Sequence, residues 1–230
     1  MSLVICTFAW GNKYKPHYVE RLAAGIKRNM RAGYGFVVIT DNPSQFITFD
    51  GVDECWSIPG PDGSLLLTKG CFARLRLFDP TWQALHGIGR GDAIACVDLD
   101  VVVTGALDPL FTHNEPFAIL QGVNSSNPCP YNGSLWMLRA GYRPDVWTDF
   151  SLGAAAKVPF HEFPDDQAWL AHKLPGAKAW KAGPESGLYA FKKPGWPNGD
   201  ALPHGARLVA FPGSRDPSMY TALPWVKEHW

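Results

Sequence analysis

The stretch Ala93-Ile94-Ala95-Cys96-Val97 is apolar at every position, stops at Asp98-Leu99-Asp100 and resumes as Val101-Val102-Val103. A half-solvated strand alternates apolar and polar positions, so an unbroken run predicts a strand covered on both faces. Strands of that kind belong to sheets with helices packed on either side. The rest of the chain supplies matching elements. Val4 to Phe8 is a further apolar run, and Pro16 opens a segment that places Val19, Leu22, Ala23, Ile26 and Met30 on one helical face. Phe36 to Ile39, closed by Thr40-Asp41-Asn42-Pro43, repeats the strand and turn signals. The opening therefore predicts a βαβ unit with parallel strands, and the fold class is α/β.

Further along, a Gly/Pro/Asp loop runs from Pro59 to Gly63. Thr68 is expected to cap a helix through Phe72 and Leu75 to the Asp79-Pro80 break, with a short helix around Trp82 to Leu85 after it. Phe117 to Leu120 and Ser134 to Leu138 read as strands, separated by an Asn/Ser/Pro loop from Asn124 to Pro130. Phe163-Pro164 leads into a helix carrying Asp165, Asp166, Gln167, Trp169 and Leu170, and Leu208 to Phe211 is the last strand expected. With 230 residues, 46% of them hydrophobic, the chain is expected to form one domain around one core.

Lys plus Arg and Asp plus Glu both total 21, so no net field favours nucleic acid or an anionic membrane as the main partner. The first residues carry no basic leader, and their apolar run is far shorter than the ~20 residues of a membrane span. Five cysteines, odd in number and without a C-x-x-C pair, suggest neither a disulfide framework nor a zinc site. A cytoplasmic location is the expectation, with Cys6 and Cys96 as small buried hydrophobes.

Ligands of open α/β sheets bind beyond the carboxyl ends of the strands, which is where Asp98 and Asp100 fall. Two carboxylates one residue apart on extended backbone point the same way and suit a shared hard cation, with phosphate oxygens completing its shell. A different chemistry is also open. Asp98-Leu99-Asp100-Val101-Val102 resembles the haloacid-dehalogenase phosphatase motif, in which Asp98 would be the nucleophile and Asp100 the general acid/base. That motif normally opens its domain on the first strand, whereas a βαβ unit precedes it here.

Several segments, in order, resemble the glycogenin-like, family-eight retaining glycosyltransferases, which have a GT-A fold. Leu67-Thr68-Lys69-Gly70-Cys71-Phe72 is similar to the family's Thr-Lys helix start, and Val97 to Val103 to its D-x-D strand. Leu107-Asp108-Pro109-Leu110-Phe111 is similar to the helix after that strand. Tyr131-Asn132-Gly133-Ser134 resembles the "FN(S/A)G" strand, Asp165-Asp166-Gln167 contains the D-Q pair, and Phe211-Pro212-Gly213 with Pro217 resembles the closing "H-F-x-G-x-x-K-P" segment. The resemblance implies a GT-A-like domain with a mainly parallel mixed sheet flanked by helices. Its Rossmann-like donor half would span about residues 1–105 and its acceptor half about 106–230.

Carried over position by position, the resemblance implies that Asp98 and Asp100 ligate Mn²⁺ or Mg²⁺ bridging the diphosphate of a nucleotide-sugar donor, a UDP-sugar. Thr7, Phe8 and Ala9 would hold the uracil and ribose, with Tyr14 stacking on the base. Lys69, Arg74, Gly213 and Arg215 would meet the diphosphate or donor sugar, and Asn132 and Gly133 would lie beside the sugar. Asp166 would bind a sugar hydroxyl while the Gln167 amide faces the anomeric carbon. Transfer would retain configuration by front-face substitution, to a carbohydrate, lipid-linked glycan or protein acceptor.

The closing segment departs from the family pattern. Ala210 stands where the family's third metal ligand, a His, is expected, and Asp216 falls on the Lys position beside Arg215. Asp216 replacing the His and Arg215 the Lys is one solution; His204 swinging in is another; a degenerate nucleotide-sugar-binding protein is a third. Among the tryptophans, Trp136 and Trp169 are expected to pack in the core, while Trp10, Trp196 and Trp225 are acceptor-site candidates.

Overall fold

The computed structural model describes residues 2–58, 63–124, 128–159, 165–197 and 199–230. Its strands, in chain order, are β1 Leu3–Ala9, β2 Gly35–Thr40, β3 Glu54–Ser57, β4 Ala93–Val97, β5 Val101–Val103, β6 Phe117–Gln121, β7 Tyr131–Arg139, β8 Lys178–Lys181, β9 Leu188–Ala190 and β10 Leu208–Ala210. Seven of them form one sheet in the order β3-β2-β1-β4-β7-β6-β8. Pairing is parallel from β3 to β4 and between β6 and β8, and only β7 runs against its neighbours. The predicted βαβ opening is present as β1, the helix His17–Asn29 and β2.

The apolar run of β4 is explained by what covers it. Ala93, Ala95 and Val97 face the first helix, packing with Val19, Leu22 and Ile26, whereas Ile94 and Cys96 face Phe72, Phe78, Trp82 and Trp136 on the other side. Cys6 and Cys96 are buried and Cα partners across β1 and β4, as small core residues should be. Trp136 and Trp169 are buried in that second layer.

Val101–Val103 does not extend β4. The chain leaves the large sheet at Asp98 and enters a three-stranded sheet, β5-β10-β9, in which β10 runs antiparallel to β5. Asp98 to Asp100 is thus the crossing between two sheets. On the small sheet's outer face Trp225 is buried with Phe191 and Phe211, and Trp196 meets Phe191 edge-on at 5.0 Å between ring centroids. Trp225 is thus a packing residue, contrary to the acceptor-site expectation, whereas Trp196 is half-buried and lines a hollow with Lys192, Lys193, Pro197 and Gly199.

The segment before Asp79 also differs from expectation. Thr68 caps no helix; its hydroxyl donates to the Ser64 carbonyl at 3.2 Å, closing the short helix Gly63–Leu66. Phe72–Phe78 is a 3₁₀ helix entered through Cys71, which adopts the left-handed region at φ 56°. Burial of Phe72, Leu75 and Phe78 holds this tight element in place and overrides its weak local signals. The short helix near Trp82 is present as Pro80–Leu85, capped by Asp79. The Pro59 to Gly63 loop up to Asp62, part of the Asn124 to Pro130 loop and Phe163-Pro164 lie outside the described residues. Among the described residues no helix is long and apolar enough to cross a membrane.

Candidate active site at the end of strand β4

Strand β7 prepares the ground for the site. Its pairing with β6 passes from Ile119 opposite Trp136 directly to Leu120 opposite Asn132, so Gly133, Ser134 and Leu135 bulge out of that ladder. Bulges re-aim backbone groups and are common beside functional sites. Here the Ser134 carbonyl accepts from the Asp98 amide at 3.0 Å, and the Gly133 carbonyl accepts from Arg74 at 3.0 Å.

Arg74, buried in the 3₁₀ helix, is the centre of the arrangement. One guanidinium nitrogen also donates to the Asp98 carboxylate, and the other lies 2.7 Å from an Asp166 oxygen. A Cβ at position 133 would fall 2.6 Å from that second nitrogen, so glycine there makes room for the guanidinium. One cation cannot neutralise both carboxylates. Asp166 is the more deeply buried, and burial outweighs the pull of Arg74 to push its carboxyl up to about 7.

The helix Asp166–Lys173 carries the rest. Its cap, Asp165, accepts from the Ala168 amide at 2.8 Å and from the Gln167 side-chain nitrogen at 2.7 Å. The Gln167 side-chain oxygen in turn accepts from the Gly133 amide at 2.7 Å, so this amide is fastened at both ends. The Asp166 amide donates to the Gly70 carbonyl at 2.9 Å, tying the helix start to the entry of the 3₁₀ helix. Asn132 accepts from the Ser134 amide at 3.1 Å and is buried.

Asp100 faces the loop that leads into the first helix. Tyr14 donates to its carboxylate at 2.7 Å, and Lys13 donates to the Tyr14 hydroxyl at 2.5 Å. Burial, reinforced by the charge of Asp98, pushes the Asp100 carboxyl up to about 6. Burial and the same carboxylates raise the Tyr14 phenol as well, so it stays a donor. Cys71 is pushed up to about 11 by burial and is no thiolate.

A cleft of about 440 Å³ gathers Lys13, Lys69, Arg74, Asp98, Asp100, Asn132, Asp165, Asp166, Gln167 and Gly213. A smaller cavity of about 160 Å³ adjoins it, walled by Phe8, Trp10, Tyr14 and Leu99, and shares Lys13, Cys71, Arg74, Asp98 and Asp100 with it. Ala9 lies in a neighbouring hollow with Trp10, Tyr14 and Asp41. Most of the expected residues are thus assembled at one place. Thr7 is not at its surface: it is wholly buried in β1, its hydroxyl without a hydrogen-bond partner. Lys13, Cys71, Ser134 and Asp165 were not expected. Asp165 was legible as a cap two residues before Gln167, but nothing local marks the other three.

The closing segment meets the cleft differently from the expectation. The Phe211 amide donates to the Asp100 carbonyl at 2.9 Å, which brings Pro212 and Gly213 into the cleft wall. Ala210, opposite Val101, is buried in the core. Asp216 instead caps the turn Pro217–Tyr220 through the Ser218 amide at 2.9 Å and accepts from the Tyr18 hydroxyl at 2.6 Å. Arg215, beside it, is half-buried. His204 is exposed and precedes Ala206, at the end of the β5–β10 pair away from Asp100. Among the described residues no three His, Cys, Asp or Glu side chains converge on a common metal position. Asp216 as third ligand and His204 as its substitute are therefore both unmet in this arrangement.

Asp98 and Asp100 nonetheless fit a hard dication that brings its own ligands. Among the described residues the cleft's lining holds three cations, Lys13, Lys69 and Arg74, against four carboxyl groups, Asp98, Asp100, Asp165 and Asp166, so with all of them ionised it carries an excess of one negative charge. Mg²⁺ and Mn²⁺ are commonly held by one or two carboxylates, with waters and substrate phosphates completing the shell.

No known family profile matches the sequence, and no curated protein sequence matches it. Among solved structures, the galactosyltransferase LgtC in complex with donor and acceptor sugar analogs has a similar fold. Its TM-score is 0.62 over 98% of this chain and 96% of that one, at 12% sequence identity. An active-site Gln-to-Glu mutant of LgtC gives a TM-score of 0.59 over 93% of this chain and 89% of that one, again at 12% identity. At such identity the likeness is one of fold, and the chain has the mixed α/β architecture of GT-A glycosyltransferases over nearly its whole length.

Proposed function

We propose that this chain is a glycosyltransferase that binds a nucleotide-sugar donor, a UDP-sugar, through a divalent cation and transfers the sugar with retention of configuration. The observation that carries the reading is the convergence of the Asp98/Asp100 pair, Arg74, Asp166 and Gln167 on one cleft at the carboxyl end of β4. Asp98 and Asp100 would hold Mn²⁺ or Mg²⁺, which supplies neutralisation of charge on the departing diphosphate. The cavity walled by Phe8, Trp10 and Tyr14 suits the base and ribose, and the cleft beside Asp166 suits the sugar.

Asp166 accepts a hydroxyl of the donor sugar, and Arg74 holds that carboxylate in place. The Gln167 amide, fixed by Gly133 and Asp165, presents a neutral dipole to the carbon that develops positive charge. An amide forms no stable glycosyl ester, so the acceptor oxygen attacks on the face the diphosphate leaves, and a diphosphate oxygen takes its proton. Asp98 directly follows the fourth strand and is bound to Arg74, which weighs against its being a phosphatase nucleophile.

Calorimetric titration of UDP with and without Mn²⁺, followed by assays of UDP-sugar hydrolysis, tests the reading. Metal-dependent binding with turnover is the expected result; binding without turnover would mark a degenerate relative. Asp100→Asn should weaken metal-dependent UDP binding at least about tenfold without unfolding the chain. Unchanged affinity in that variant removes the proposed metal site.

A further inference from the structure

We infer that Lys13 is the cation that receives the diphosphate of the donor, taking over in this chain the role that the closing segment leaves unfilled. The inference rests on the glycosyltransferase reading and adds a residue to it. Two cavities meet at the end of β4, and in a nucleotide sugar it is the diphosphate that links the nucleoside to the sugar. The group that meets it must therefore stand where the two cavities join. Among the described residues two cations line both, Lys13 and Arg74.

Arg74 is already committed to two carboxylates, and its one unbonded nitrogen, Nε, is buried. Its guanidinium also serves the Gly133 carbonyl. Lys13 is exposed, donates to the Tyr14 hydroxyl at 2.5 Å and lies 4.4 Å from the centre of the same ring. An ammonium has three donors on a flexible stem, so that contact leaves others for phosphate oxygens. Lys69 lines the cleft but not the cavity walled by Phe8 and Trp10, which places it off the junction. From the closing segment, only Pro212 and Gly213 reach the cleft, and neither carries charge.

Lys13 is also placed to act together with the metal carboxylates. Its hydrogen bond runs through the Tyr14 hydroxyl to Asp100, so phosphate, ammonium and cation would share one chain of contacts. Lys13→Met keeps the stem length and removes the charge, and Lys13→Arg restores it.

The test is calorimetric titration of uridine and of UDP, both with Mn²⁺, into the wild type, Lys13→Met and Lys13→Arg. Lys13→Met is expected to weaken UDP about tenfold or more while uridine binding stays within about twofold, and Lys13→Arg to recover most of the loss. The steepness with which salt weakens UDP binding should fall in Lys13→Met as well. Equal losses for uridine and UDP would make Lys13 a packing residue for Tyr14 and overturn the inference, as would no loss for either. Failure of the wild type itself to bind UDP would instead remove the donor reading on which the inference stands.

Discussion

A methyl group added at Gly133 would come within 2.6 Å of the Arg74 guanidinium and 3.2 Å of the Gln167 Cγ. Both neighbours are fastened, Arg74 by two carboxylates and Gln167 by two hydrogen bonds, so neither yields freely. Gly133→Ala should therefore cost about 1–3 kcal/mol of stability, as overpacking in a close-fitted site does. UDP affinity should change little in the variant, because the strain falls on the sugar side, while UDP-sugar turnover should drop at least about tenfold. Thermal melts and donor hydrolysis check both halves, and full turnover in a folded variant would detach Gly133 from the chemistry. The sequence offered turn chemistry as a sufficient reason for Asn132-Gly133. The larger reason lies across the fold, 59 residues away at Arg74, and no local pattern carries it.

Elements divide into those whose register shows in the sequence and those set by packing. β4 was legible because burial on both faces leaves an unbroken apolar run, and the helix after Asp165 because an acidic cap and first turn announce it. The lead into Phe72–Phe78 was misread as a helix capped by Thr68, since a left-handed Cys71 has no sequence signature. The turn Pro217–Tyr220 gives the sharper case. Read as a motif, Asp216 falls near a metal-ligand position; in the fold it caps that turn and receives the Tyr18 hydroxyl from the first helix. Asparagine caps as well as aspartate. Asp216→Asn should thus keep metal-dependent UDP affinity within about twofold and lose about 1 kcal/mol of stability from the weakened bond to Tyr18. A loss of affinity like that expected for Asp100→Asn would make Asp216 a metal ligand after all.

The fold class rests on patterns that extend over many residues, whereas β5, β9 and β10 are three residues each and too short to show that they form a second sheet. Assembly of the two sheets places charge where water does not reach it, and this links the site to the stability of the whole chain. An aspartate titrates near ~3.9 when unfolded, while Asp166 in the folded chain is pushed up to about 7 by burial. Between those values the folded chain keeps a proton that the unfolded chain has released, so this contribution is present at low pH and lost as pH rises through about 7. His86 and His113, lowered by burial, act in the opposite sense up through their ordinary range, and Asp100, pushed up to about 6, acts in the same sense as Asp166. Asp145, held down by Arg143 and Lys173, acts at still lower pH. Because the histidines and Asp100 still titrate at the low edge of the window from about pH 6.5 to 8, the difference between the wild type and Asp166→Asn is what isolates Asp166. Across that window the wild type should lose on the order of 1 kcal/mol more than Asp166→Asn, a relative fall of a few degrees in melting temperature. Asp166→Asn, neutral at every pH and nearly the same shape, should flatten that slope. Parallel profiles for the two proteins would mean that Arg74 keeps Asp166 ionised throughout, and that the guanidinium is shared more evenly between Asp98 and Asp166 than their burial implies.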